Sequence, residues 1–341
     1  MGLLHPRSAE AGSDGAAIAR DYASIPDDPW AVCHGIRAMG RTFTVTGGRR
    51  AVDYLLETHL RLVPTPGGRT ALAFPEDVEI HPNMFLKTML EAGVPLDHPF
   101  THEGRRRTLR EVLDGARTLF RPTQVAGSPN MLPWSMIAFA RTTTPLKARW
   151  TNGWGEAVDF DPIVEAALGL MEQGSLPLMH AMREGQPLAS KAPVHAFTCG
   201  GTHMLYALLT TMDAGYRGRD RLERTRRQVD LVLWRMTADI ELMGRFFDER
   251  PPPVGRHWFE LDAKLKLYGH AEECLALATR HGLVTLTAAQ QAQRREATVA
   301  LRGMLEEMEK KTLREARALH SELYRQLVGD ACHARHGLTF A

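Results

Sequence analysis

The densest run of side chains able to hold a metal or move a proton is HAFTCGGTHMLYALL, which begins at His195. On a continuous helix His195, Cys199, His203 and Tyr206 recur at steps of four, four and three, which puts them on one face. Imidazole and thiolate are zinc ligands, and an imidazole with a phenol can serve as base and acid in proton abstraction. The Gly200-Gly201 pair offers a second reading, in which the helix starts after it and His195 and Cys199 lie in the preceding loop. His203 is helical in both readings and is the leading member of the group. A structural use of all four stays open.

A second run, KLKLYGHAEECLALATRHG over residues 264–282, places His270 on the helical face that carries Leu267, Cys274 and Leu277. Glu273 is close enough in sequence to orient the imidazole, fixing its tautomer for ligation or for base chemistry. A buried histidine bonded to a carbonyl is the competing reading. The third run, DACHARHG, spaces Asp330, His333 and His336 by three residues. That spacing permits metal binding but matches no zinc signature such as HExxH, and near the end of the chain it reads more readily as a fortuitous cluster. His34 follows Trp30 and Cys33 in WAVCHGIRAMG and is a further candidate ligand, while His81 precedes a helix that contains Asn83. The basic stretch GRRRTLR, residues 104–110, lacks interleaved aromatics and is expected to be a solvated helix face.

Positioning these groups requires a sizeable core, and 341 residues with 44% hydrophobic and 24% charged content supply one. The formal charge of +2 gives no reason to expect nucleic acid as a partner. Walker, dinucleotide-binding, GxSxG and CxxCH motifs are absent from the sequence, which argues against nucleotide-driven chemistry and c-type haem. Cys33, Cys199, Cys274 and Cys332 form no CxxC pair and are expected to be reduced and mostly buried. No apolar run reaches the roughly 20 residues needed to span a bilayer, so a soluble chain is expected. A cytoplasmic location is the first expectation, and an exported one the expectation if a leader has been removed.

The elements read mainly as helices. Residues 1–25 are expected to form a loose arm ahead of a single helical domain over 26–341, with a subdivision near residue 150 left open. Helices are expected around 30–40, 50–60, 81–93, 106–119, 131–140 and from about Pro162. In 229–247, Val229, Val232, Leu233, Met236, Ile240, Met243 and Phe247 make a wide apolar stripe. The tract 260–280 is helical with Gly282 as a cap, and the breaker-poor stretch 287–328 is expected to divide into two antiparallel helices. Many helices with little strand alternation imply an all-α fold of helical hairpins, either an open solenoid or a ring.

At His81-Pro82, at Cys199-Gly200-Gly201-Thr202-His203 and at Gly269-His270-Ala271-Glu272, the chain resembles poorly characterised bacterial proteins of the prenyltransferase and squalene-cyclase-like α/α-toroid group. The resemblance extends over most of residues 30–330. It implies an α/α toroid, or an incomplete ring of helical hairpins, with His203 and His270 near a central cavity. It does not extend to terpene cyclisation: the DxDD-type acid motif is replaced by Asp159-Phe160-Asp161, and aromatic repeats are missing.

Two function classes follow. The first is a cavity enzyme in which His203, His270 and Tyr206 act as acid–base groups, or His203, His270, Cys199 and His34 hold a divalent metal such as zinc, on a polar small molecule or saccharide. The second is a non-catalytic helical scaffold that binds a ligand or a protein partner and whose histidines satisfy buried hydrogen bonds. Convergence of His203 and His270 separates the two.

Overall fold

The protein is described by a computed structural model over residues 12–125, 128–252, 255–311 and 313–339. Among these residues the helices are, in chain order, α1 (Ala16–Ile18), α2 (Pro29–Met39), α3 (Ala51–His59), α4 (Met84–Glu91), α5 (Leu109–Leu119), α6 (Pro122–Val125), α7 (Leu132–Ala140), α8 (Phe160–Arg183), α9 (Thr202–Asp213), α10 (Arg221–Glu249), α11 (Arg256–Arg280), α12 (Ala288–Lys311), α13 (Leu313–Leu319) and α14 (Ser321–Thr339). Three antiparallel hairpins interrupt them: β1 (Arg61–Thr65) with β2 (Arg69–Ala73), β3 (Pro99–His102) with β4 (Arg105–Thr108), and β5 (Arg149–Thr151) with β6 (Ala157–Asp159). No helix among the described residues is long and apolar enough to cross a membrane. The fold is all-α, with the hairpins as small additions.

Burial divides the helices into two kinds. Ala31–Ala38 of α2, Met84–Met89 of α4, Leu132–Ala140 of α7, Thr202–Met212 of α9, Gly269–Ala278 of α11 and Leu327–Ala334 of α14 are unbroken buried runs. A helix buried on every side is surrounded by other elements. By contrast α3 buries Ala51, Val52, Leu55 and Leu56, and α5 buries Leu109, Val112, Leu113, Gly115 and Ala116, in each case a single stripe. The fully buried helices touch in succession: α2 packs on α4, α4 on α7, α7 on α9, α9 on α11, α11 on α14 and α14 on α2. The most extensive of these contacts, α11 on α14, depends on missing side chains. A Cβ at Gly269 would stand 3.2 Å from Ala334 Cα, and one at Gly337 would stand 2.9 Å from the Glu273 nitrogen. Glycine in a helix interior costs about 1 kcal/mol against alanine, so its presence here reflects the close approach of two backbones.

Several expectations change in detail. Residues 1–11 of the expected loose arm lie outside the described residues, and within the rest of it α1 and a π-helical turn at Ala19–Ala23 bury Ile18, Ala19 and Ala23 against α2 and α14. The apolar content of that short stretch outweighs its polar, glycine-rich surroundings. GRRRTLR is not a helix face: Arg105–Thr108 pair with Pro99–His102, and α5 starts only at Leu109 behind a capping box made by Thr108 and Glu111. The stretch expected as two antiparallel helices is divided into α12, α13 and α14, with a break at His320. The stripe on α10 is buried through Met236 and only half-buried at Ile240, Met243 and Phe247.

Candidate metal centre

Cys199 sits in the turn before α9 with φ 50° and ψ 40°, in the left-handed region, and Gly200 and Gly201 follow with φ 65° and 86°. Two glycines and one strained residue turn the chain sharply enough to start α9 at Thr202, so His203 lies in its first turn. The four groups from His195 to Tyr206 therefore do not share one helical face. The loop reading of Cys199 and His195 is the one realised, and only His203 and Tyr206 are in α9.

The turn nonetheless aims Cys199 at the helices. One ligand atom each from Cys199, His203 and His270 lie within 4.8 Å of one another, and a second group of the same kind joins His270, Glu273 and His333. The ring centroids are 4.6 Å apart for His203 and His270, 4.0 Å for His270 and His333, and 5.2 Å for His203 and His333. Imidazoles sharing one tetrahedral zinc, at Zn–N of about 2.0–2.1 Å, have centres about 5 Å apart. The observed spacing is of that order.

Each histidine is held differently. His333 Nδ1 donates to Glu273 Oε2 at 2.8 Å, which leaves its Nε2 without the proton. His270 lies between carboxylates, with Nε2 3.3 Å from Asp330 Oδ1 and Nδ1 3.6 Å from Glu273 Oε2. Burial alone would lower its pKa, but Cys199, Asp330 and Glu273 together raise it well above the ordinary value. His203 has no hydrogen-bond partner among the described residues, only ring contacts with Trp134, His270 and His333. Burial, helped by the charges of His270, His333 and Lys87, keeps His203 well below the usual range, and burial does the same for His333. Both are neutral imidazoles, the form that ligates metal.

Beneath the cluster a layer of ion pairs fixes the supports. Arg37 donates through Nε to Glu273 Oε1 and through Nη1 to Glu91 Oε2, each at 2.6 Å, and Lys87 Nζ donates to the same Glu91 oxygen at 2.7 Å. Glu273 also faces His336 Nδ1 at 2.8 Å. Arg37, Glu91, Lys87 and Glu273 are all buried, so the layer survives only because each charge is matched. On the far side of His270, Lys266 Nζ donates to Asp262 Oδ2 at 3.0 Å and lies 3.7 Å from Asp330 Oδ2. Burial and the neighbouring Asp330 push Asp262 up to about 7.

The cluster opens on a cavity of about 220 Å³ whose walls include Trp30, His34, His81, Lys87, Trp134, Cys199, His203, Lys266, His270, Asp330 and His333. His34 reaches this cavity without joining either group of ligand atoms. Its Nδ1 donates to the Trp30 carbonyl at 2.7 Å, its ring is 5.0 Å from that of His333, and burial lowers its pKa to about 4. His81 stacks flat on Trp134 at 3.8 Å and forms the wall behind His203. Tyr206 departs from the expected group: Arg37 covers its ring at 4.8 Å, and it faces a different cavity. His195 is also elsewhere, with Nε2 donating to Asp239 Oδ1 at 3.1 Å.

Three groups carry more weight than the sequence gives them. Asp330 and His333, which read as a fortuitous cluster near the chain end, line the cavity, and so does Arg37, which no sequence motif marks. The glycines Gly329 and Gly337 inside an otherwise helix-forming segment are the signal that α14 is packed on tightly. Gly329 lies so close to the Trp30 ring that an added Cβ would stand 2.2 Å from it. The remaining thiols, Cys33, Cys274 and Cys332, are buried and join neither group of ligand atoms.

No family model matches the chain, and no curated protein or solved structure matches it. The functional reading therefore rests on the geometry alone.

Proposed function

We propose that the chain is an α/α toroid whose central cavity is a metal-dependent active site for hydrolytic or related acid–base chemistry on a polar small molecule or saccharide. The observation that carries the reading is the approach of Cys199, His203 and His270 donor atoms to within 4.8 Å of one another at the wall of a cavity. Three protein ligands with a fourth position open to a cavity is the arrangement of catalytic zinc, whereas structural zinc is closed by four protein ligands. A divalent ion such as zinc would supply a Lewis acid and a coordinated water of lowered pKa.

The chain's own groups then have distinct tasks. His333, with Nδ1 fixed on Glu273, presents a neutral Nε2 that can accept a hydrogen bond from water or a substrate hydroxyl and so position it. Asp330, 3.3 Å from Nε2, would orient His270 in the usual role of a carboxylate behind a ligating imidazole, and Nδ1, 3.6 Å from Glu273 and outside hydrogen-bond distance, would give up its proton to ligate the ion. Lys87 lines the cavity with one N–H committed to Glu91, leaving two ammonium protons for negative charge that develops on a substrate oxygen. Trp30 and Trp134 add apolar edges to the cavity, their faces being covered by His34 and Arg325 and by His81 and His203.

What supports the toroid is the cyclic succession of contacts from α2 through α4, α7, α9, α11 and α14 back to α2. The alternation of fully buried and one-sided helices along the chain agrees with it. The resemblance of the CGGTH and GHAE elements to the toroid group points the same way.

The test is metal content by elemental mass spectrometry on tag-free protein and on folded His203→Ala and His270→Ala. Near-stoichiometric metal in the wild type, lost in both variants, is the expected result. A folded, metal-free wild type that binds no added zinc overturns the metal reading and leaves a scaffold whose histidines are structural.

A further inference from the structure

Consecutive residues of a helix point in different directions, and on α11 Glu273 supports the metal cluster while its neighbour Glu272 lines a separate groove of about 610 Å³. One wall of that groove is α12. Arg295, Thr298 and Arg302 follow one another there at steps of three and four, so they share a helical face, and Val299 lies beside them. Across from them the groove is lined by Thr285, in the turn after α11, and by Leu338 of α14.

We infer that this groove is a second ligand site, for a small molecule that carries a phosphate-type dianion on an apolar body. The carboxylates near it are already answered. Arg294 donates through Nε to both oxygens of Glu272 at 3.1 Å and through Nη2 to Oε1 at 2.5 Å, and Asp14 is paired with Arg335. Arg302 is not answered. Its charge is felt at both Glu272 and Asp14, yet its guanidinium makes no hydrogen bond or ion pair among the described residues, and its Nε is enclosed without a partner. By contrast Arg37, Arg221, Arg224 and Arg235 are each bonded to a carboxylate. Shutting a guanidinium nitrogen away from water without a partner is costly, and an anion on the same fork offsets that cost. Arg295 is exposed and likewise has no partner among the described residues. Two positive charges are therefore left over in one groove.

A phosphate monoester carries about −1.5 to −2 at pH 7, which matches that excess, and guanidinium forks meet phosphate oxygens two bonds at a time. A lone carboxylate would match only one of the two arginines. The hydroxyls of Thr285 and Thr298 make no hydrogen bond among the described residues, so they are free to donate to the remaining oxygens. The apolar body has its own contact: Val299 is 52% exposed and faces the groove together with Leu338. A groove of this size is in the range of small-molecule sites. The metal cavity lacks this excess, because Lys87 and Lys266 there already meet Glu91 and Asp262.

The test is calorimetric titration of phenylphosphonate, a dianion on an apolar ring that hydrolysis cannot release, into the wild type, Arg302→Ala, Arg295→Ala and His203→Ala. Arg106→Ala, which removes an exposed arginine of β4, is the surface control. Saturable binding that weakens with salt is expected for the wild type and for the control. Arg302→Ala should weaken it roughly tenfold or more, as loss of a charged hydrogen bond does, and Arg295→Ala by a smaller factor. Benzoate, with the same ring and one charge, and inorganic phosphate, with no ring, should both bind more weakly than phenylphosphonate. Arg295 is exposed and unpaired, so its removal leaves the fold intact and keeps the test valid even if Arg302→Ala unfolds. Absence of saturable binding overturns the proposal, and so does wild-type affinity in both arginine variants. Binding lost in His203→Ala but kept in Arg302→Ala would place the anion on the metal and overturn it as well, whereas binding kept in a metal-free His203→Ala supports a site independent of the first cavity.

Discussion

His195 and His203 lie on either side of the Cys199-Gly200-Gly201 turn, and the fold treats them in opposite ways. Ala192 N–H donates to His195 Nδ1 at 2.8 Å and His195 Nε2 donates to Asp239 Oδ1 at 3.1 Å, so both ring nitrogens are answered. Asp239 is answered in turn by Arg235, at 2.8 Å from Nη2 to Oδ2, and Arg235 Nη1 donates to Gly200 O at 2.7 Å. That network is a closed lock between the loop and α10. His203 has rings around it and a cavity in front, with neither nitrogen answered among the described residues. Histidine near histidine does not by itself mark a site; an unanswered nitrogen facing a void, with a thiol and a second imidazole in reach, does.

The comparison can be broken first at the lock. Asp239→Ala leaves the Arg235 guanidinium, 2% exposed, with only a carbonyl partner. A cost of about 3–5 kcal/mol in urea denaturation is expected, with metal still bound. Retained stability would mean that the lock is not the structural counterpart described here. Packing comes next. Gly337→Ala puts a methyl 2.9 Å from the Glu273 nitrogen, and prising α14 from α11 should cost about 1–3 kcal/mol while also loosening metal. An unchanged melting curve would show that the two helices have slack.

Glu273→Gln sharpens the other side of the comparison. It keeps the shape but removes the charge that orients His333 and lies 3.6 Å from His270 Nδ1, and zinc affinity in a chelator competition should fall about 10–100-fold. No change in affinity would remove Glu273 from the site. The smallest effect concerns Glu79, a buried carboxylate answered by the N–H groups of Asn83 and Phe85 at 2.8 and 2.9 Å. Burial raises it from 4.5 to about 8. A carboxyl group raised in the folded state is protonated there while the unfolded chain ionises, so its contribution is full below 4.5 and declines as pH rises to about 8. The fall in stability across that window should be shallower in Glu79→Gln, and an identical slope in both proteins would contradict the assignment.

The helical class is legible in the sequence, and so is the placing of His203 and His270 on otherwise apolar helical faces, which the structure brings together with ring centroids 4.6 Å apart. The sequence also carried the choice at Gly200-Gly201, since paired glycines before a helix permit the left-handed turn that aims Cys199. The hairpins were not legible: Arg105–Thr108 is a strand only because Pro99–His102 lies beside it. Nor was the convergence of α2 and α14 on the site. Arg37 and Glu273 are brought together by contacts between helices distant in the chain, which local periodicity does not encode. The interior glycines of α14 hinted at close packing without naming its partner.

The most direct test is the X-ray absorption spectrum of the zinc-loaded protein at the metal edge. Ligation by Cys199, His203 and His270 predicts one sulfur at about 2.3 Å together with nitrogens at about 2.0–2.1 Å, and loss of the sulfur shell in Cys199→Ser. A zinc site with no sulfur shell in the wild type, or one unchanged by Cys199→Ser, would contradict the centre described here.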